Sequence, residues 1–158
     1  MSLLTVTIRP SQASDVPQVV RLVTSILNKE FSQDQSAYPT EDLERIPALY
    51  ALPESTFFVA EEDHRVVGTC GVKADSSQTA ILRRFFVDPS YRGKGVGTAL
   101  LQEALSFCQR RGFREIVIRT STRMESAIRL CHVAGFREDG RWSLGDVTLV
   151  LFRLRLGS

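Results

Sequence analysis

The sequence predicts an α/β (α+β) fold: a central mixed β-sheet of about seven strands with helices on both faces, in the order β-α-α-β-β-β-α-β-α-β-β. Three observations predict it. Short β-branched and aromatic runs are interspersed with stretches whose apolar residues recur every three or four positions. Three strand-like runs follow one another between Phe57 and Val87 with only turn residues between them, which calls for hairpins within the sheet. A glycine-rich turn, Gly93-Lys94-Gly95-Val96-Gly97, then joins a strand directly to a helix.

The elements follow in order. Leu4 to Arg9 alternates and is β-branched, so it reads as a strand that Pro10 ends. Ser11 through Phe31 is helical, with Val16, Val19, Val20, Val23, Ile26 and Leu27 on one face and Ser14 as the expected N-cap. Residues 32–39 are polar and read as a loop. Thr40 to Tyr50 reads as a short helix with a break or kink at Pro47. Phe57 to Glu61, Arg65 to Lys73 and Thr79 to Val87 are three strands; Gly97 to Arg111 is an amphipathic helix that Gly112 stops. Glu115 to Thr120 is a strand, Met124 to Ala134 a short helix, and Phe136 to Glu138 and Val147 to Leu156 are the last strands, with Trp142 in the loop between them.

Length and charge bound the function. A chain of 158 residues is expected to form one domain, residues 1–158. A net charge of +2 is too small to make nucleic acid or a membrane surface the main partner. Cys70, Cys108 and Cys131 are widely spaced, and with His64 and His132 they complete no zinc pattern, so no metal is expected. Unpaired thiols, no leader and no long apolar run read as a cytoplasmic protein.

The turn after the fourth strand carries the chemistry. Glycines at 93, 95 and 97 leave backbone N–H groups unshielded, the helix that follows points its positive end at them, and Arg92 and Lys94 add charge. The product is a cradle for a phosphate or pyrophosphate. It is not a P-loop, because Lys94 lies between glycines rather than after the second one. It is not the dinucleotide fingerprint either, because the spacing is G-x-G-x-G.

Arg92-Gly-x-Gly95-x-Gly97 after Val87-x-Pro89 resembles the acetyl-CoA loop of the GNAT-type N-acetyltransferases. Ala127-Ile128-x-Leu130-Cys131-x-x-x-Gly135-Phe136 is similar to a second segment of that family, and the element order is the family's own. The resemblance implies that the fourth and fifth strands splay apart to admit acetyl-CoA. Phe85, Phe86 and Val87 would then pair with its pantetheine arm, and the N–H groups of Arg92, Gly93, Lys94, Gly95, Val96, Gly97 and Thr98 would hold the pyrophosphate. It implies transfer of acetyl to a primary amine by direct attack in a ternary complex. The favoured acceptor is a small, amino-acid-like metabolite, with a protein N-terminus or lysine also open. The alternative is a catalytically silent acetyl-CoA-binding module.

Two departures from the family pattern bear on catalysis. Cys131 stands where many members carry the tyrosine general acid, so it is the candidate general acid, with a packed core thiol as the competing reading. The fourth strand, Thr79 to Phe86, carries no carboxylate, so the base is expected to be an ordered water, Glu61, or the region of Glu30 and Asp34. Arg84 is the candidate to bind a carboxylate of the acceptor, unless it pairs with a helix carboxylate. Phe31, Tyr38 and Trp142 are expected to shape the acceptor pocket, Trp142 being equally readable as a core plug. The resemblance leaves a homodimer through the last strands open.

Overall fold

The structure is a computed structural model that describes residues 5–157; Leu4, the expected start of the first strand, lies outside them. Seven strands form one sheet: β1 (Thr7–Pro10), β2 (Thr56–Glu62), β3 (Arg65–Ala74), β4 (Thr79–Val87), β5 (Glu115–Ser121), β6 (Arg137–Leu144) and β7 (Val147–Arg155). Their order is β1-β2-β3-β4-β5-β7-β6, and β4–β5 is the parallel pair among antiparallel neighbours. Four helices cover it: α1 (Val16–Glu30), α2 (Ile46–Leu49), α3 (Val96–Arg110) and α4 (Glu125–Val133).

Alternation along β2 shows how the two faces are filled. Phe57 and Val59 join Val19, Val23 and Leu27 of α1 in one cluster, while Phe58 and Ala60 join Leu100, Ala104 and Cys108 of α3 in the other. The helix periodicity and the strand periodicity thus meet on both faces of the sheet. α4 lies on the α3 face, where its Cys131 is buried.

Three expectations need correction. Trp142 is on a strand: β6 and β7 pair from Arg137↔Arg153 to Leu144↔Val147, leaving only Gly145 and Asp146 as the turn. The sequence of β6 hid this because every one of its positions is exposed, so no apolar alternation marks it. The helix over Thr40–Tyr50 is a 3₁₀ segment, Glu41–Arg45, followed by the four-residue α2, because Pro47 fits only a first helical turn. The first helix enters through a 3₁₀ turn at Ala13–Asp15, so its N-cap position falls on Asp15, not Ser14; the Asp15 carboxylate caps the turn itself, accepting the Gln12 backbone N–H at 2.7 Å.

Candidate active site

The site begins where the sheet comes apart. β4 and β5 pair from Thr79↔Glu115 to Leu82↔Ile118 and then stop, although β4 runs on to Val87 and β5 to Ser121. Arg84 marks the break. Its φ is +55°, and the β3–β4 register shifts across it, so β4 bends while Thr69 Oγ1 holds the Arg84 carbonyl at 2.7 Å. Beyond the bend, Phe85, Phe86 and Val87 present one backbone edge to a gap rather than to a strand.

The gap is one wall of a cleft of about 660 Å3, within the usual size range of small-molecule sites. Phe85, Phe86, Val87, Arg92, Gly93, Gly95, Gly97 and Thr98 all line it. Lys94 does not; its ammonium stands 5.6 Å over the Tyr91 ring. Val96 is buried beneath α3, so only its backbone belongs to the loop. Gly95 caps α3 with φ +88°, and a Cβ there would meet nothing within 4 Å. The glycine therefore answers a conformational demand of the turn, not crowding by protein atoms. The first turn of α3 leaves its N–H groups without intrahelical acceptors, facing this loop.

Charges hold the loop in place. Arg92 Nε donates to the Val87 carbonyl at 3.1 Å, while its two Nη atoms donate to both carboxylate oxygens of Glu30, the last residue of α1. Asp88 accepts from the Ser90 N–H at 2.9 Å. Burial alone would raise the Asp88 carboxyl, but the Ser90 hydrogen bonds and the nearby Arg65 and Arg92 outweigh it and hold it below its usual range.

The other expected residues divide. Phe31 lines the cleft. Arg84 does not: its side chain is 5% exposed, and it donates to Asp42 and to the Pro39 carbonyl, an ion pair with the segment before α2. Tyr38 accepts the Ser121 N–H at 2.7 Å, and burial raises its phenol above the usual range. Trp142 is partly exposed on β6, away from the cleft lining. Among the expected bases, Glu61 is bonded to Arg9 at 2.9 Å, Asp34 is fully buried, and only Glu30 reaches the cleft.

Cys131 sits one side-chain layer behind the cleft. It lines a cavity of about 10 Å3 with Leu82, Leu101 and Ile118, and Phe85, Ala127 and Leu130 separate that cavity from the cleft by lining both. Burial pushes its thiol up to about 12.

Two cleft residues carried no signal in the sequence. Arg123 and Glu125 both line the cleft, at the start of α4. Arg123 donates to Asp34, a contact between residues far apart in the chain, which no local spacing announces.

Residues 21–136 match the acetyltransferase (GNAT) family. The chain is 32% identical over 115 residues to the "probable N-acetyltransferase camello" of Xenopus tropicalis, a match covering 71% of this chain and 52% of that protein. The chain spans about half the length of the curated relatives it matches. Its fold is similar to that of a GNAT-family acetyltransferase from Staphylococcus aureus Mu50, with a TM-score of 0.84 and 25% identity, over 97% of this chain and 100% of the other. It is also similar to an acetyltransferase from Salmonella typhimurium solved with its cofactor acetyl-CoA, with a TM-score of 0.73 and 19% identity, over 98% and 95% of the two chains. The family match runs from within α1 through the splayed strands and the glycine loop to the end of α4, and the chain belongs to the acetyltransferase (GNAT) family.

Proposed function

We propose that the protein is an acetyl-CoA-dependent N-acetyltransferase that acts on a primary amine by direct attack in a ternary complex, with a small acceptor favoured over a protein. The observation that carries this reading is the gap between β4 and β5 past Leu82 and Ile118, which opens directly onto the glycine loop in one cleft.

Acetyl-CoA supplies the acetyl thioester, and its transfer to a neutral amine releases the CoA thiol. The chain's part is to bind and orient. The free edge of Phe85–Val87 accepts an extended, amide-bearing ligand as an added strand. The loop from Arg92 to Thr98 offers N–H groups and the α3 dipole to the pyrophosphate. A backbone N–H beside Val87 would donate to the carbonyl oxygen of a bound thioester. The amine loses its proton to water in the open cleft, since both oxygens of Glu30, the expected carboxylate that lines it, are held by Arg92.

We assign Cys131 to packing. Leu82, Leu101 and Ile118 enclose it behind the cleft and burial holds its thiol up at about 12, so proton delivery from it to a CoA thiolate runs uphill. The leaving thiolate then takes its proton from water or from the ammonium product.

The test is CoA-thiol release from acetyl-CoA across a panel of amines, amino acids and peptides, beside acetyl-CoA binding by calorimetry. Binding with amine-dependent release supports the reading. Binding without release from any amine favours the silent acetyl-CoA-binding module, and absence of binding overturns both.

A further inference from the structure

Arg123 is the cleft arginine whose anchor is a fully buried carboxylate. Asp34 has 0% of its surface exposed. One of its oxygens accepts from Ser121 Oγ at 2.6 Å and the other from Arg123 Nη1, while the Arg123 backbone N–H donates to Ser121 Oγ at 3.1 Å. This network ties the segment after α1 to the end of β5. Burying a carboxylate is costly unless it is paired and hydrogen-bonded, and a neutral contact would join two segments at lower cost. What the carboxylate adds is a guanidinium fixed in direction. The Arg123 side chain stays 40% exposed and lines the cleft, and among the described residues its side chain makes only the one bond to Asp34, out of five N–H donors.

Its position separates it from the loop that serves the phosphates. The glycines feed α3, on one face of the sheet; Arg123 reaches Asp34, which follows α1, on the other. The gap between β4 and β5 opens toward both. Of the remaining cleft arginines, Arg92 is committed to Glu30 and Arg129 lies further along α4, beside Leu130 and Val133. The sequence-based candidate, Arg84, is buried against Asp42.

We infer that Arg123 is the acceptor-specificity residue: its guanidinium receives the carboxylate of an amine acceptor of amino-acid type, and Asp34 is the positioning residue that aims it. This rests on the N-acetyltransferase reading. Asp34 cancels much of the long-range field of Arg123, so recognition is by directed hydrogen bonds in the planar fork, which a carboxylate fits and a carboxamide does not.

The experiment compares the full chain with Arg123→Gln, Arg123→Lys and Asp34→Asn. CoA-thiol release is measured with each of a set of amino acids beside its own carboxamide, alanine and alaninamide first, and acetyl-CoA binding by calorimetry. The ratio of kcat/KM for carboxylate over carboxamide is expected to fall about ten- to a hundredfold in Arg123→Gln, mainly through KM, and to recover partly in Arg123→Lys. Asp34→Asn is expected to lower the same ratio, whereas a merely structural role would lower the melting temperature and both turnovers without moving it. The inference is overturned if Arg123→Gln lowers both acceptors equally, if wild type prefers the carboxamides, or if the main effect is a weaker acetyl-CoA Kd, which would place Arg123 on the cofactor. Acetyl-CoA binding with no thiol release from any amine would sink the transferase reading, and this inference with it; the other outcomes leave that reading standing.

Discussion

Arg92 and Glu30 form a two-point ion pair, with Nη1 to Oε1 at 2.5 Å and Nη2 to Oε2 at 2.9 Å, that joins the end of α1 to the glycine loop across the cleft. The same guanidinium is the side chain nearest in kind to a pyrophosphate ligand. A polyanion entering the loop competes with Glu30 for it and also meets the Glu30 charge. Both side chains are about one-third exposed, so the pair itself is worth about 1 kcal/mol or less. Glu30→Gln is therefore expected to tighten acetyl-CoA binding about two- to fivefold, and Arg92→Gln to weaken it about tenfold. Calorimetric Kd values at low and moderate salt check both, and a weaker Kd in Glu30→Gln would refute the competition.

Gly95 and Gly97 are expected to respond in opposite ways to the same added methyl. At Gly95, φ +88° makes alanine strained by about 1–2 kcal/mol although its Cβ would touch nothing, so the melting temperature should fall by several degrees. At Gly97 the backbone is helical, and the first contact of a Cβ would be Leu130 Cδ2 at 3.4 Å. Alanine there should raise stability by about 0.5–1 kcal/mol. Gly97 nevertheless lines the cleft, so acetyl-CoA affinity should drop in the more stable variant. Differential scanning fluorimetry with and without acetyl-CoA separates the two effects.

The three thiols are expected to be silent. Burial raises Cys70 far above the usual thiol range and pushes Cys108 and Cys131 up to about 12. The thiolate is the reactive form, so a disulfide reagent at pH 8 should titrate no fast thiol in the folded protein and three after unfolding in guanidinium. A single fast thiol that maps to Cys131 would reopen its chemical role.

Acid should loosen the link between β1 and the turn that opens α1. Arg9 donates to both oxygens of Asp15 at 2.8 Å and to Glu61 at 2.9 Å. The Arg9 bond holds the Asp15 carboxyl below its ordinary value near 3.8. A depressed carboxyl stabilises the fold at pH above its unfolded value, and that stabilisation is lost as pH falls through the folded value. Stability should thus be flat from pH 7 to about 5 and decline below about 4. Asp15→Asn should cost about 2 kcal/mol at pH 7, roughly 5 °C in melting temperature, and the variant should lose less on acidification. Urea denaturation at pH 7, 5 and 3.5 checks the slope.

Much of this was legible in the sequence, for reasons that differ by element. α1 and α3 announced themselves because their buried faces repeat at helical spacing, and β2–β4 because their apolar residues come in short runs between turns. The loop from Gly93 to Gly97 was legible because its requirement is conformational and glycine states it directly. β6 was not, because a strand exposed at every position carries no alternation to read. The break at Arg84 was not, because a positive φ at an arginine has no compositional sign. The Asp34–Ser121–Arg123 network was not, because it closes over 87 and 89 residues of chain and depends on the strands already being in place.

The bend at Arg84 has one last consequence. By ending the β4–β5 ladder at Leu82 and Ile118, it gives the molecule a sheet edge inside its own sheet. Free edges on a protein's rim invite other chains and the aggregation that follows. This one is enclosed in the cleft, between the end of α1 and the residues of α4. The amides of Phe85 to Val87 that face the gap should accordingly exchange quickly with deuterium when the cleft holds only solvent, and slowly once a ligand zips along them.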